Sequence, residues 1–155
     1  MQIHSLDFED IYEDNYYLIG VHTTLEDYKL AYLLNQELKA HFSRATDSLD
    51  FGKEKNTTSY SIYNYFNATY DFNWFLISNS CKKESRQNNG LLLSSEIKNY
   101  LIPEKKNIDF FIKIIGESDE EFISKTVQKI KQIHQVITAY SVDHTTLKSK
   151  DFLIF

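Results

Sequence analysis

The run His22-Thr23-Thr24 stands where a hydrophobic stretch gives way to the start of a helix, and it is the most chemically suggestive place in the chain. A helix N-terminus offers unpaired N–H groups and a partial positive charge, so an imidazole and two hydroxyls there could hold a carboxylate or a phosphate. Gly116 and Ser118 stand at a comparable junction later in the chain and complete this candidate anion or ligand site. The plainer role, a histidine packed at a strand end with threonines capping the helix, is favoured. Glu104 and Asp109 are a second candidate, as paired carboxylates for a metal ion or for proton transfer, but no third partner accompanies them.

The remaining reactive types are scattered. His4, His22, His41, His134 and His144 show no H-x-x-x-H spacing, so no metal site is expected. Cys81 is the only cysteine and has Lys82 and Lys83 beside it, which favours thiolate, yet no base accompanies it and a free loop thiol is expected. Only Gly20, Gly52, Gly90 and Gly116 are available, too few for a glycine-rich phosphate cradle. No catalytic set and no cofactor are therefore expected.

Elements to position these residues can be read from periodicity. YYLIGVHT, residues 16–23, has the β-branched and aromatic character of a strand. Thr24 and Asp27 then resemble a capping box for a helix over about 25–41, whose Leu30, Ala31, Tyr32, Leu33 and Leu34 are apolar around much of the circumference. A polar, irregular stretch is expected over 43–58. SYSIYNYF (59–66), a turn at Asn67–Ala68 and TYDFNWFLIS (69–78) read as a hairpin in mid-sheet, with Phe72, Trp74 and Leu76 on one face and Phe75 and Ile77 on the other.

Residues 81–90 read as a loop, 94–101 as a short helix stopped by Pro103, and 107–116 as a strand. Ser118 and Glu121 repeat the capping signal before a helix near 119–133, with Phe122, Ile123, Val127, Ile130 and Ile133 in one stripe. VITAYSVD (136–143) is a further strand, and the terminal DFLIF adds an edge strand or docks as a tail. An offset of 94 residues brings LIGVHTTLEDY onto IKIIGESDEEF, a match that two separate uses of one capping solution also explain.

These elements make one α+β domain over residues 1–155: a mostly antiparallel sheet, two main helices packed on it, and ferredoxin-like βαβ elements. A lone cysteine excludes an internal disulfide and fits a reducing, cytoplasmic compartment. The first residues lack the basic and apolar regions of a secretory signal, and no apolar run approaches the roughly 20 residues of a membrane span. Net charge is −5, with Asp7, Glu9, Asp10, Glu13 and Asp14 clustered, so binding to a polyanion is disfavoured.

Ile102-Pro103-Glu104 followed by Ile108-Asp109-Phe110 resembles the signature of the IPExxxVDY family, with Ile for Val and Phe for Tyr. LEDYKLAYLLN, NWFLISN and ITAYSVD with LKSKDFLIF extend the likeness over nearly the whole chain. The resemblance implies a bacterial, Bacteroidota origin and brings no known activity and no functional residues. From the residues themselves, Pro103 sets φ and ends the preceding element, and Glu104 and Asp109 accept backbone N–H groups in the turn. Residues 108–143 are also similar to the second βαβ half of ligand-sensing domains of the ACT and AsnC kinds, a likeness that speaks to fold.

The function expected from sequence is a non-enzymatic protein–protein interaction module, homodimeric through the broad apolar first helix and the aromatic hairpin. One alternative is a small-ligand sensor of ACT or AsnC shape, with a metabolite near His22 or Gly116. Another is an RNA-associated protein that stacks bases on Tyr60, Tyr63, Tyr65 and Tyr70, although the Lys and Arg of RNA-binding aromatic motifs are missing between them.

Overall fold

A computed structural model describes residues 16–46, 49–51, 58–85, 95–116 and 118–153. Its strands are β1 (Tyr16–Thr23), β2 (Ser43–Arg44), β3 (Leu49–Phe51), β4 (Thr58–Tyr60), β5 (Ile62–Asn67), β6 (Phe72–Ser78), β7 (Ser80–Ser85), β8 (Ser95–Tyr100), β9 (Phe110–Ile115) and β10 (Val136–Val142). The helices are α1 (Asp27–Leu38) and α2 (Glu120–Lys131). The main sheet has six strands in the order β10-β1-β9-β6-β5-β2, and all its pairs are antiparallel. Two further hairpins, β3–β4 and β7–β8, stand apart from it. The α+β architecture is thus the one the sequence implies.

Two crossovers interleave at the centre of the sheet. β9 and β10 run parallel on either side of β1 and are joined through α2, while β1 and β6 run parallel on either side of β9 and are joined through α1 and the β5 hairpin. Such connections place both helices over one face. There Leu30, Ala31 and Leu34 of α1 and Ile123, Val127 and Ile130 of α2 share a core with Ile19, Val21, Trp74, Leu76, Ile112 and Ile114. Full burial of each aliphatic side chain is worth about 1.5–3 kcal/mol.

Among the described residues no α-helix covers the opposite face. Leu18, Ile77 and Phe111 are covered by Leu101, Ile102 and Ile108 and by Leu147 and Leu153 of the C-terminal segment. Because β9 is covered on both sides, Phe110 to Ile114 are all buried, including Lys113. Its Nζ donates to the Leu153 carbonyl and sits 4.6 Å from the centroid of the Tyr16 ring. The expected terminal tail docks in this way, as a 3-10 turn over Lys150–Leu153.

Several local expectations are corrected. α1 begins at Asp27 with Glu26 as N-cap and no side-chain cap, because the Thr23 hydroxyl, not Thr24, takes the nearby Leu25 N–H at 3.1 Å. At α2 the cap is Asp119, one residue beyond the expected Ser118; its carboxylate accepts from the Phe122 N–H at 2.7 Å. The helix expected over 94–101 is strand β8, paired with β7, which occupies the first part of the loop expected over 81–90. Isolated helices of such length are marginal, and cross-strand pairing outweighs a few apolar residues at helical spacing. Cys81 accordingly lies on a strand and is partly buried, not on a loop. The stretch expected to be irregular over 43–58 holds β2, β3 and the start of β4. The acidic cluster at the N-terminus lies outside the described residues.

Candidate functional site

The five residues of the candidate anion site do not form one site. β1 and β9 are antiparallel, so His22, Thr23 and Thr24 lie at one end of the sheet, and Gly116 and Ser118 at the other. His22 pairs with Thr138, and its Nε2 is 2.8 Å from the Tyr140 hydroxyl, an edge contact between β1 and β10. Thr23 is fully engaged: its N–H donates to Asp109 Oδ2 at 2.9 Å and its hydroxyl donates to the Gln135 carbonyl at 2.8 Å while accepting from Leu25. Gly116, at φ +136°, lies against the β5–β6 turn, where a Cβ would stand 2.8 Å from the Asp71 carbonyl oxygen. Ser118 lines a cavity with that turn.

The signature residues are held by a buried hub that sequence reading did not single out. Asn79 is fully buried at the end of β6. Its Nδ2 donates to the carbonyls of Lys105 at 3.0 Å and Ile108 at 2.8 Å, and its Oδ1 accepts from the Ile102 N–H at 2.8 Å. Its own N–H and carbonyl bond to the Asp109 carbonyl and the Leu101 N–H. One side chain and its backbone thereby close the loop that carries Ile102, Pro103, Glu104, Ile108 and Asp109. Ile102, Ile108 and Phe110 are buried, and Pro103 opens a 3-10 turn over Pro103–Lys105.

The two carboxylates of the signature serve distant chain segments, not the local turn. Asp109 accepts from Thr23, and Glu104 accepts from the Ser149 N–H at 2.7 Å through Oε1 and from its hydroxyl at 3.0 Å through Oε2. Partial burial pushes the Glu104 carboxyl up, but hydrogen bonds from the Ser149 N–H, its own N–H, the Ser149 hydroxyl and the Lys148 N–H outweigh it and hold the group below its ordinary value. They are thus separately engaged and not a facing pair. Among the described residues, no group of three or more His, Cys, Asp or Glu is placed to hold a metal ion.

Two clefts border residues singled out from the sequence, and they differ in kind. One, of about 620 Å³, is polar and lies at the start of α1; Thr23, Thr24, Arg44, Lys98, Asp27 and Asp109 are on its walls. Within it Asp109 accepts from the Thr23 N–H, and Asp27 accepts from the Tyr28 N–H. Tyr63 at its margin is hydrogen-bonded to Asp27, and burial first, then the Asp27 charge, raises its hydroxyl's pKa.

The other cleft, of about 850 Å³, lies between the end of α1, the start of α2 and the β5–β6 hairpin. Tyr65, Tyr70, Phe72, Trp74 and Phe122 form its walls, with Lys39, Lys129 and Asp119 at the rim. Tyr65 and Trp74 are direct cross-strand partners. Ring centroids are 5.5 Å apart for Tyr65 and Phe72, 5.8 Å for Phe72 and Trp74, and 6.1 Å for Trp74 and Phe122, in tilted or edge-on arrangements typical of aromatic clusters. Trp74 is 4% exposed, and its Nε1 has no hydrogen-bond partner among the described residues. Buried polar groups are ordinarily paired, so an indole N–H left over beside a cavity calls for a physical reason.

Of the four tyrosines expected on an open hairpin face, only Tyr65 and Tyr70 reach this cleft; Tyr60 and Tyr63 are buried in the two cores. The available signal was the period of two, which sets Tyr65 on the face of Phe72 and Trp74. Phe122 was legible as part of the α2 stripe, but it sits in the first turn and remains 41% exposed. The chain matches no family model, no curated protein and no solved structure.

Proposed function

We propose that this chain is a non-enzymatic binding domain that holds a small organic ligand in the aromatic cleft. The observation that carries the reading is the N–H of Trp74, a side chain more than nine-tenths buried: it has no partner among the described residues, and aromatic walls surround it beside a cavity large enough for a metabolite. The non-catalytic part is supported by the polar residues elsewhere. Thr23, Glu104 and Asp109 bond to backbone groups of distant segments and form no nucleophile–base pair among themselves. The strand order β10-β1-β9-β6 with its interleaved crossovers supports the ferredoxin-like, ACT- or AsnC-like expectation. In this proposal the ligand lies near Ser118 and not near His22. Membership of the IPExxxVDY family and a cytoplasmic location belong to the same proposal; no helix among the described residues is long and apolar enough to cross a membrane.

The test is native mass spectrometry of freshly purified protein together with a thermal-shift panel of amino acids, nucleotides and small carboxylates. A retained mass or a dose-dependent shift is expected. Absence of both overturns the reading. A second reading, the homodimeric interaction module, is supported by Tyr28 and Tyr32, one turn apart on α1 and 58% and 61% exposed. Light scattering showing a monomer at micromolar concentration removes it.

A further inference from the structure

We infer that the edge of β10 pairs with β10 of a second copy of this chain, joining two six-stranded sheets into one. The inference goes beyond the ligand-binding reading and uses neither the aromatic cleft nor Tyr28 and Tyr32 of α1. The two edges of the main sheet are finished differently. One ends in β2, only Ser43 and Arg44, and a very short, charged last strand discourages further pairing. The other is β10, seven residues reading VITAYSV, with no charge and no proline. Its one irregularity lies opposite His22 and Thr23 and leaves Thr138–Val142 in unbroken register with β1. Alternate N–H and C=O groups of such a strand point away from its neighbour, and among the described residues no strand pairs with that side.

An antiparallel edge is complementary to itself. A twofold axis perpendicular to the sheet brings the same residues together in reverse order. With no Lys, Arg, Asp or Glu in β10, no like charges meet across that pairing. Ile137, 72% exposed, and Tyr140, 40% exposed, are the large side chains left beside the edge.

Charge on α2 identifies the partner. Beside β10 runs a cleft of about 720 Å³ whose helical wall is Glu120, Ile123, Ser124, Val127 and Lys131, one stripe of α2. Glu120 opens the helix and Lys131 closes it. Glu121 is held by Lys125 at 2.9 Å, whereas Glu120 and Lys131 make no ion pair among the described residues. The axis that pairs β10 with itself also sets the two α2 helices antiparallel on one face of the joined sheet. Glu120 of each copy then approaches Lys131 of the other. The patch is complementary to itself in backbone hydrogen bonding and in charge; an unrelated strand supplies only the first.

The test is sedimentation velocity of the full chain across the micromolar range, where a dimer is expected. Glu120→Lys and Lys131→Glu each weaken it by about tenfold, because each turns two attractive contacts into repulsive ones, and the double variant recovers it. Both residues are exposed, so the variants fold. Ile137→Lys sets a charge on the edge itself and gives monomer with an unchanged far-UV spectrum. A monomer throughout the range for the unaltered chain overturns the inference and the dimeric reading of α1 together. A dimer that survives Ile137→Lys, or is lost through Tyr32→Ser instead, lies on another surface and overturns the inference alone. A double variant no better than its parents overturns it, and so do oligomers growing beyond two, because an edge that pairs with itself closes at two. None of these outcomes bears on the aromatic cleft, which native mass spectrometry reads separately.

Discussion

The two faces of the central sheet differ at one buried polar atom: among the described residues the only buried side-chain N or O without a hydrogen bond is the indole nitrogen of Trp74, on the helical face. On the face opposite the helices, Asn79 is fully buried and its amide makes three hydrogen bonds, and the buried Lys113 reaches the Leu153 carbonyl. On the helical face, Trp74 is nearly as deeply buried and its N–H bonds to nothing among the described residues. A buried donor without an acceptor costs about 1–3 kcal/mol. The saturated groups tie distant chain segments together, and the proposed ligand-binding role rests on the one donor left over.

The contrast is broken most directly at Asn79. Asn79→Ala removes three side-chain bonds and leaves the Ile102 N–H buried without its acceptor, at a residue that is itself fully buried. A loss of about 3 kcal/mol or more in urea unfolding is expected, because the desolvation penalty of each stranded group is felt in full. A loss below about 1 kcal/mol would show that water replaces the amide and that this face is not stitched as described.

Gly116→Ala comes next, with an expected loss of about 2 kcal/mol from strain at positive φ. Residue 116 has φ +136°, and an added Cβ meets the Asp71 carbonyl oxygen at 2.8 Å, so both backbone conformation and space oppose the methyl group. This variant probes the packing of Gly116 against Asp71 and Phe72, next to the aromatic cleft. Stability unchanged with ligand binding lost would make Gly116 a ligand contact; the expected outcome is the reverse order, instability first.

How much of this was legible beforehand follows from the range of the interactions. Period-two and period-3.6 patterns are local, and they place Trp74 and Leu76 on one face, Ile77 on the other, and the α2 stripe over the sheet, as the structure has them. Asn79 looked like an ordinary strand-end residue because its partners lie 23 to 29 positions away along the chain. Likewise Asp109 reaches Thr23 across 86 positions, so its role was read as local turn-capping. The β7–β8 hairpin escapes a local pattern for the same reason: residues 94–101 fit a short helix when strand pairing is invisible. The cleft needed Tyr65, Trp74 and Phe122 from three elements, and only the cross-strand pair was within reach of a pattern.

Glu104→Gln has a smaller effect, under about 1 kcal/mol, since the residue is exposed and solvent screens it. Its sign against pH is definite. The folded-state value is lowered, so the ionised carboxylate's contribution is complete above the unfolded value and fades as pH falls through the folded one. Wild type should therefore exceed the glutamine variant at neutral pH and converge with it on acidification into the range where carboxylates protonate. A gap that widens on acidification would place the Glu104–Ser149 contact outside the stabilising network.

Trp74→Phe should change stability least, although it alters a side chain almost as buried as Asn79. Losing the indole's second ring opens a void and removes packing, which alone would cost about 1–3 kcal/mol. Losing an N–H that has no acceptor returns about 1–3 kcal/mol of the same order, so the two terms largely cancel. A thermal midpoint within a few degrees of wild type, with the ligand retained in native mass spectrometry lost, is the expected pair of measurements. A loss approaching that of Asn79→Ala would mean that the indole N–H is satisfied in solution, and the two faces would then differ in packing alone.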